Sequence, residues 1–116
     1  KTGEAKITKG YNLPAKHVIH TVGPVWRGGN NGEDELLRNA YRNSLKLAVE
    51  NGIKTIAFPA ISTGVYSFPL ERATKIAVEE VQKFLSNGDS IEKVIFACFN
   101  EKTYECYKSV LEQMNQ

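Results

Sequence analysis

Two short and almost wholly apolar runs constrain the fold of this chain more than any other feature of its sequence. They occupy residues 55–61 and 93–99, and each is followed by a segment with helical periodicity. Continuous apolar runs of this length are typical of β-strands that are buried on both faces. Because such strands alternate with helices here, the pattern predicts a mostly parallel sheet that is covered by helices.

Apolar residues recur at helical spacing in three segments, residues 33–51, 69–87 and 101–115. In each segment they form one stripe, which predicts the buried face of an amphipathic helix. Asn31 is expected to cap the first helix, and Pro69 suits the first position of the second. The predicted stripes are Leu37, Tyr41, Leu45 and Ala48 in the first helix, Ala73, Ala77, Val81 and Phe84 in the second, and Tyr104, Tyr107, Leu111 and Met114 in the third.

Two shorter extended segments, residues 5–8 and 17–22, precede the first helix. Gly10 and Pro14 mark a turn between them, since glycine and proline are the residues that turns most often require. The predicted fold class is therefore α/β, with a mostly parallel sheet and helices on both of its faces.

Composition excludes several other classes of protein. The chain has 116 residues, the length of one domain, and its net charge of +2 is too small to indicate a DNA or membrane partner. No apolar run approaches the roughly 18 residues that a membrane helix needs. Cys98 and Cys106 are too few for a disulfide scaffold, so we expect free thiols and a cytoplasmic protein.

The loop after the first apolar run, residues 62–68, is the strongest candidate for a binding site. Ligands of open α/β sheets bind at the carboxyl ends of the strands. Gly64 is expected to adopt a positive φ, and the hydroxyls of Ser62 and Thr63 would join successive N–H groups at a helix N-terminus to favour a phosphate. No lysine follows the glycine, so this is not a P-loop. An ordinary strand–helix connection would use the same residue types, and the loop alone leaves both interpretations open.

Other constellations are weaker. His17 and His20 resemble a metal-binding pair, but residues three apart on a strand point to opposite faces. A catalytic triad of Ser62, His20 and Asp34 lacks the G-x-S-x-G elbow around the serine. Cys98 lies within an apolar run, where a core position is expected rather than a nucleophile.

Several blocks of the chain together resemble one protein family. Residues 2–8 (TGEAKIT), 10–16 (GYNLPAK), 18–24 (VIHTVGP) and 58–66 (FPAISTGVY) are similar to consecutive blocks of a macrodomain, and the likeness extends over essentially all 116 residues. The chain resembles the MacroD-type branch, which includes bacterial O-acetyl-ADP-ribose deacetylases and mono-ADP-ribosyl hydrolases. The resemblance implies a three-layer α/β/α fold that binds ADP-ribose in a cleft at the strand ends.

The resemblance also implies roles for individual residues. In the family, the loop that corresponds to residues 62–66 surrounds the diphosphate and the distal ribose. Gly64 and Tyr66 would lie next to the reacting ribose, and Phe99 is a looser match to the adenine side. No cofactor and no metal are implied. The expected ligand-binding residues are Ser62, Thr63, Gly64, Val65, Tyr66 and Phe99.

The implied activity is hydrolysis of ADP-ribose derivatives, either deacetylation of O-acetyl-ADP-ribose or removal of mono-ADP-ribose from proteins. Family members use a water held between the ligand's phosphate, a catalytic aspartate and the ribose. The alternative is a non-catalytic module that binds ADP-ribose or poly-ADP-ribose, because the loop residues would serve both functions equally well. ADP-ribosylated proteins are the partners implied in either case.

The chain also departs from the family pattern. The N-terminal strand, the Asn-Ala-Ala-Asn motif and the glycine-rich loop that ends in the catalytic aspartate all precede the point that matches Lys1. Asp34 and Asp89 lie in other segments, so no catalytic residue is expected within this chain. We therefore expect residues 1–116 to form one N-terminally truncated macrodomain, the C-terminal two-thirds of the family domain. Its own missing segment or a second copy would then be a partner, because truncation exposes a sheet edge.

Overall fold

The computed structural model describes residues 1–10, 17–88 and 90–114 of the chain. The predicted turn at residues 10–14 lies outside this description except for Gly10, and so do Asp89 and Asn115. In the described part, no helix is both long enough and apolar enough to cross a membrane. The elements in chain order are β1 (Ala5–Lys9), β2 (His17–Thr21), α1 (Glu33–Glu50), β3 (Thr55–Phe58), α2 (Leu70–Ser86), β4 (Lys93–Phe96) and α3 (Glu101–Met114).

The strands form two separate ladders. Strands β1 and β2 pair antiparallel, from Ala5↔Thr21 to Lys9↔His17, whereas β3 and β4 pair in parallel, from Thr55↔Lys93 to Phe58↔Phe96. Helix α2 connects the parallel pair, as a parallel connection requires. The α/β class is confirmed, but the described strands form two two-stranded sheets rather than one mostly parallel sheet. The connection between β1 and β2 is short, and short connections join antiparallel strands.

The parallel ladder is buried on one face only. Phe58 and Phe96 are register partners and therefore point to the same side. The Tyr41 ring of α1 lies 4.9 Å from the Phe58 ring, and the Tyr107 ring of α3 lies 4.9 Å from that of Phe96, so both helices cover this one side. On the other side Ile95 is 41% exposed. The prediction that these strands are buried on both faces is thus wrong for the described residues, because α1 and α3 lie against the same face.

Both apolar strands are also shorter than their apolar runs. They end at Phe58 and Phe96, three residues before the predicted ends at residues 61 and 99. Pro59 follows Phe58 directly, and proline has no N–H with which to continue a ladder. The residues after each strand consequently belong to loops at the carboxyl end of the ladder.

The helical stripes are mostly confirmed. Those of α1 and α2 are buried, apart from the partly buried Phe84. In α3 the buried positions are Thr103, Tyr107 and Val110, while Tyr104 is 53% exposed. Tyr104 was therefore wrongly assigned to the core, because the buried face of α3 follows i, i+4 and i+7 spacing from Thr103.

Two predicted helix starts are also corrected. Helix α1 begins after Gly32, which has a φ of 73°, and no side chain caps it, so Asn31 is not its cap. Pro69 precedes α2 as the capping residue instead of occupying the first helical position.

Candidate ligand-binding site

Two loops meet at the carboxyl ends of β2 and β3. We call residues 22–32 the β2–α1 loop and residues 59–69 the β3–α2 loop. The N–H of Trp26 donates to the carbonyl of Tyr66 at 2.8 Å, and the Trp26 ring packs on Phe68 with 4.9 Å between ring centroids. The Arg72 guanidinium of α2 lies 5.0 Å from the centroid of the Trp26 ring. One backbone hydrogen bond and one aromatic contact thus join the two loops, which form a single surface.

The β3–α2 loop leaves three successive N–H groups without an internal partner. Ser67 N–H donates to the carbonyl of Gly64 at 3.0 Å, and Phe68 N–H donates to that of Ser62 at 2.9 Å. The N–H groups of residues 64, 65 and 66 donate to no atom of the described chain. Residues 64–66 are exposed and lie a few residues before α2, so these N–H groups are free to donate to an acceptor outside the described chain.

Gly64 serves this loop differently from the way predicted. Its φ is not positive; the two residues of the loop with positive φ are Ser62 (67°) and Ser67 (61°). The expectation of a left-handed glycine is therefore wrong. A Cβ at Gly64 would meet no atom within 4 Å in the described structure. Glycine thus leaves the loop surface bare at this point, which allows a ligand to approach the backbone closely.

The Ser62 hydroxyl is buried and has no hydrogen-bond partner among the described residues. A buried polar atom without a partner costs about 1–3 kcal/mol, so such atoms are rare in folded proteins. Gly23 of the other loop explains its placement, because a Cβ there would collide with Ser62 Oγ and with the side chain of Ile61. Gly23 directly follows the second extended segment of the sequence, residues 17–22, and the Gly-Pro pair that it begins carries no signal of this contact.

Tyr41 anchors the beginning of the β3–α2 loop. Its ring is 1% exposed, and its hydroxyl accepts the N–H of Ile61 at 3.4 Å. Burial raises the pKa of Tyr41, so the hydroxyl stays protonated at neutral pH. The core of the protein is thereby connected to the residue that precedes Ser62.

The predicted site residues line two different hollows. A cavity of about 750 Å³ lies between β2 and β3 and is lined by Ser62 and Tyr66 as well as by both strands. A cleft of about 560 Å³ lies between the starts of α2 and α3 and is lined by Thr63, Gly64 and Phe99. Val65 is 97% exposed and lines neither. The loop therefore separates the cavity from the cleft and contributes to both.

In the β2–α1 loop, in contrast, three N–H groups are paired with one side chain of the chain itself. Glu33 is 2% exposed, and its carboxylate accepts the N–H groups of Arg27 at 2.7 Å, Gly29 at 3.0 Å and Asn31 at 2.7 Å. Burial by itself would raise the pKa of Glu33, but these three donors lower it to about 2. Glu33 is not among the site residues predicted from the sequence.

The alternative sites find no support in the geometry. Asp34 forms a bidentate pair with Arg72, with both N–O distances at 2.8 Å, and His20 lies 3.1 Å from Thr8 Oγ1. Ser62 is therefore not part of a triad with these residues. Burial raises the pKa of the Cys98 thiol, which disfavours the nucleophilic thiolate. The described residues contain no cluster of three side chains that could hold a metal.

The fold agrees with what comparison with known proteins finds. The Macro domain family model matches residues 1–77. A macro domain-containing protein of Chlorobaculum tepidum is 60% identical over 110 residues, which cover 95% of this chain and 64% of that protein. An O-acetyl-ADP-ribose deacetylase of Escherichia fergusonii is 54% identical over 112 residues, which cover 97% of this chain and 63% of that enzyme.

Solved structures of similar proteins have the same fold. A mutant macrodomain of Oceanobacillus iheyensis with ADPR superposes with a TM-score of 0.93 at 39% identity, covering 99% of this chain and 61% of that one. The Trypanosoma brucei macrodomain in complex with ADP-ribose gives a TM-score of 0.87 at 46% identity, covering 96% of this chain and 46% of that one.

These findings define an α/β protein whose β3–α2 loop, at the strand ends, has three N–H groups without a partner in the described chain. The chain belongs to the Macro domain family. It spans less than two-thirds of the length of the relatives that it matches.

Proposed function

We propose that this chain forms the phosphate-binding part of a hydrolase that acts on ADP-ribose derivatives. The observation that carries the proposal is the run of three N–H groups at residues 64–66, which have no partner in the described chain and lie just before α2. A diphosphate supplies several strong acceptor oxygens, and the positive end of a helix favours its charge. The names of the relatives support the same ligand, since they include O-acetyl-ADP-ribose deacetylases and macrodomains with ADP-ribose.

The division between the cavity and the cleft suggests how an elongated dinucleotide-like ligand is held. The diphosphate would contact the amides of the β3–α2 loop, with one half of the ligand on either side of it. In the cleft, Lys102 is an exposed cation, and Phe99 is an 85% exposed ring on which a base can stack. On the cavity side, the Tyr66 ring and the Ser62 hydroxyl would contact the reacting ribose.

The reaction we propose is hydrolysis of an ester or glycosidic bond of the ligand. For O-acetyl-ADP-ribose, water adds to the acetyl carbon, the ester C–O bond breaks, and acetate and ADP-ribose leave. The residues of this chain contribute by binding and orientation. Asp34 is held by Arg72, and Asp89 lies outside the described residues, so the proposal assigns no general base within the described chain. Mono-ADP-ribosylated proteins are the second proposed substrate class, and the two free thiols agree with a cytoplasmic location.

The cavity between the two ladders also supports a proposal about partners. Every residue of β2 and of β3 lines it, yet no ladder joins these two strands in the described structure. Two strand edges that face one hollow can accept another strand. We propose that a segment from the remainder of the protein, or from a second copy, occupies this position and completes the site.

The competing function is that of a reader, which binds ADP-ribose or poly-ADP-ribose without hydrolysing it. The β3–α2 loop favours neither, because binding amides are needed in both cases. The two functions differ in turnover and not in affinity.

Two measurements test the proposal. Isothermal titration of the protein with ADP-ribose should give saturable binding, and incubation with O-acetyl-ADP-ribose should release acetate. Binding without release of acetate or of protein-linked ADP-ribose would favour the reader. Absence of ADP-ribose binding, under conditions where the fold is intact by circular dichroism, would reject both.

A further inference from the structure

The Glu33 carboxylate organises the backbone of the loop that precedes it. Its Oε2 atom accepts two N–H groups, those of Arg27 and Gly29, and its Oε1 atom accepts that of Asn31. Gly29 has a φ of 92°, and a Cβ there would lie 2.8 Å from the Trp26 ring, so the loop is folded tightly around that ring. Three hydrogen bonds to one ionised carboxylate are strong, because a charged acceptor roughly doubles the strength of each.

This carboxylate is connected to the ligand loop by two successive peptide groups. The N–H of Arg27 donates to Glu33, and the N–H of the preceding residue, Trp26, donates to the carbonyl of Tyr66. Helix α1 therefore fixes the backbone of residues 26–27 through Glu33. The same two residues in turn fix the β3–α2 loop through the carbonyl of Tyr66. Ring packing of Trp26 on Phe68 strengthens the connection.

We propose that Glu33 is a positioning residue for the ligand loop. By fixing the peptide groups at Trp26 and Arg27, its carboxylate holds the Tyr66 carbonyl in place and thereby holds the three unpaired N–H groups in one arrangement for a diphosphate. This proposal rests on the proposed function. It differs from a role in capping α1, because a cap stabilises the helix without changing how a neighbouring loop binds a ligand.

The decisive variant is Glu33→Gln, with Glu35→Gln as its matched control. Both remove one negative charge from the first turn of α1, but Glu35 is exposed and its nearest cation, Arg42 Nη1, is 3.7 Å away. In Glu33→Gln, an NH₂ group replaces one acceptor and faces a backbone N–H, so at least one bond to the loop is lost. The Kd for ADP-ribose should then rise about tenfold, whereas Glu35→Gln should leave it unchanged.

Fluorescence provides a readout that does not depend on the ligand. Trp26 is the only tryptophan of the chain, so its emission reports the β2–α1 loop directly. Glu33→Gln should shift this emission to the red, and Glu35→Gln should not. Glu33→Asp keeps the charge but is one methylene shorter, so it should give intermediate values of both Kd and emission. It also replaces Glu33→Gln as the test if the latter fails to fold.

The pH profile separates this carboxylate from an ordinary one. The pKa of Glu33 is lowered to about 2 in the folded protein. Its contribution to stability is therefore fully present above the ordinary glutamate pKa and is lost progressively as the pH falls from there toward 2. The emission of Trp26 should consequently stay constant between about pH 6 and about pH 4, where ordinary carboxylates begin to titrate. Arg72 also interacts electrostatically with Glu33, and it is held in an ion pair with Asp34.

The outcomes are distinct. If Glu33→Gln matches Glu35→Gln in both Kd and emission, the proposal is wrong. If the emission shifts while the Kd does not, Glu33 shapes only its own loop, and the positioning role is rejected. If the unmodified protein binds no ADP-ribose, the proposed function fails separately. The amide NMR shifts of residues 64–66 then decide, since a change specific to Glu33→Gln supports the positioning role and its absence rejects it.

Discussion

The two loops at the strand ends differ in whether their backbone N–H groups have an acceptor within the described chain. In the β2–α1 loop, three N–H groups point at one place, and the Glu33 carboxylate of the chain itself accepts all three. In the β3–α2 loop, three successive N–H groups have no acceptor among the residues that the structure describes. Both loops follow a strand, precede a helix and contain glycine, so composition does not distinguish them. The difference is the presence of an internal anion.

This difference separates a structural loop from a binding loop in physical terms. Backbone N–H groups that share an internal carboxylate have no remaining capacity for a ligand, and the three hydrogen bonds restrain their loop. Unpaired N–H groups keep that capacity but need a rigid neighbour to hold them in place, because loop residues otherwise sample many conformations. The hydrogen bond from Trp26 to Tyr66 couples the two kinds of loop.

The largest expected effect comes from placing an anion in the β3–α2 loop. Gly64→Glu should abolish detectable ADP-ribose binding by calorimetry, because the added side chain extends into open space and puts a negative charge where phosphate would bind. Asn30→Glu is the matched control, since it adds the same charge at an exposed position of the β2–α1 loop and should retain binding. Tight binding by Gly64→Glu would show that the diphosphate lies elsewhere.

A smaller effect, on stability, is expected at the contact between the loops. Gly23→Ala should lower the free energy of unfolding by about 1–3 kcal/mol in urea denaturation, because the added Cβ collides with Ser62 and Ile61. Gly64→Ala meets no atom, and its φ is not positive, so it should be neutral or stabilising by up to about 1 kcal/mol. Equal effects of the two substitutions would contradict the close approach of the loops at Gly23.

Local patterns predicted the parts of this molecule that depend on local physics. The stripe of Leu37, Tyr41 and Leu45 followed from helical spacing, and each is buried. The strand–loop–helix order directed attention to residues 62–68. Strand ends were misplaced because an apolar run continues past Pro59, although the ladder stops before it. Which face of a sheet is covered by helices depends on tertiary packing. The sequence therefore contained no indication that the face with Ile95 is exposed.

The details of the site depend on contacts between distant residues. The positive φ predicted for Gly64 belongs instead to Ser62 and Ser67. Gly23, about forty residues earlier in the chain, packs against Ser62, and spacing within the loop holds no information about it. Glu33 was missed for a related reason, since an acidic residue in the first helical turn is common and the groups that donate to it here are backbone N–H groups.

The smallest expected effects come from removing the Ser62 hydroxyl, and they should have opposite signs for stability and binding. Because this hydroxyl is buried without a partner in the described structure, Ser62→Ala should raise the free energy of unfolding by about 1 kcal/mol. ADP-ribose affinity should fall severalfold if the ligand supplies the missing partner, as proposed. Ser67→Ala is the matched control for stability, since Ser67 shares the positive φ but has an exposed side chain, and it should change stability little. A Ser62→Ala protein that is less stable than Ser67→Ala would mean that the Ser62 hydroxyl has a hydrogen-bond partner in solution. Ser62 would then offer no unpaired group to a ligand, and the case for a binding loop would rest on its three unpaired N–H groups alone.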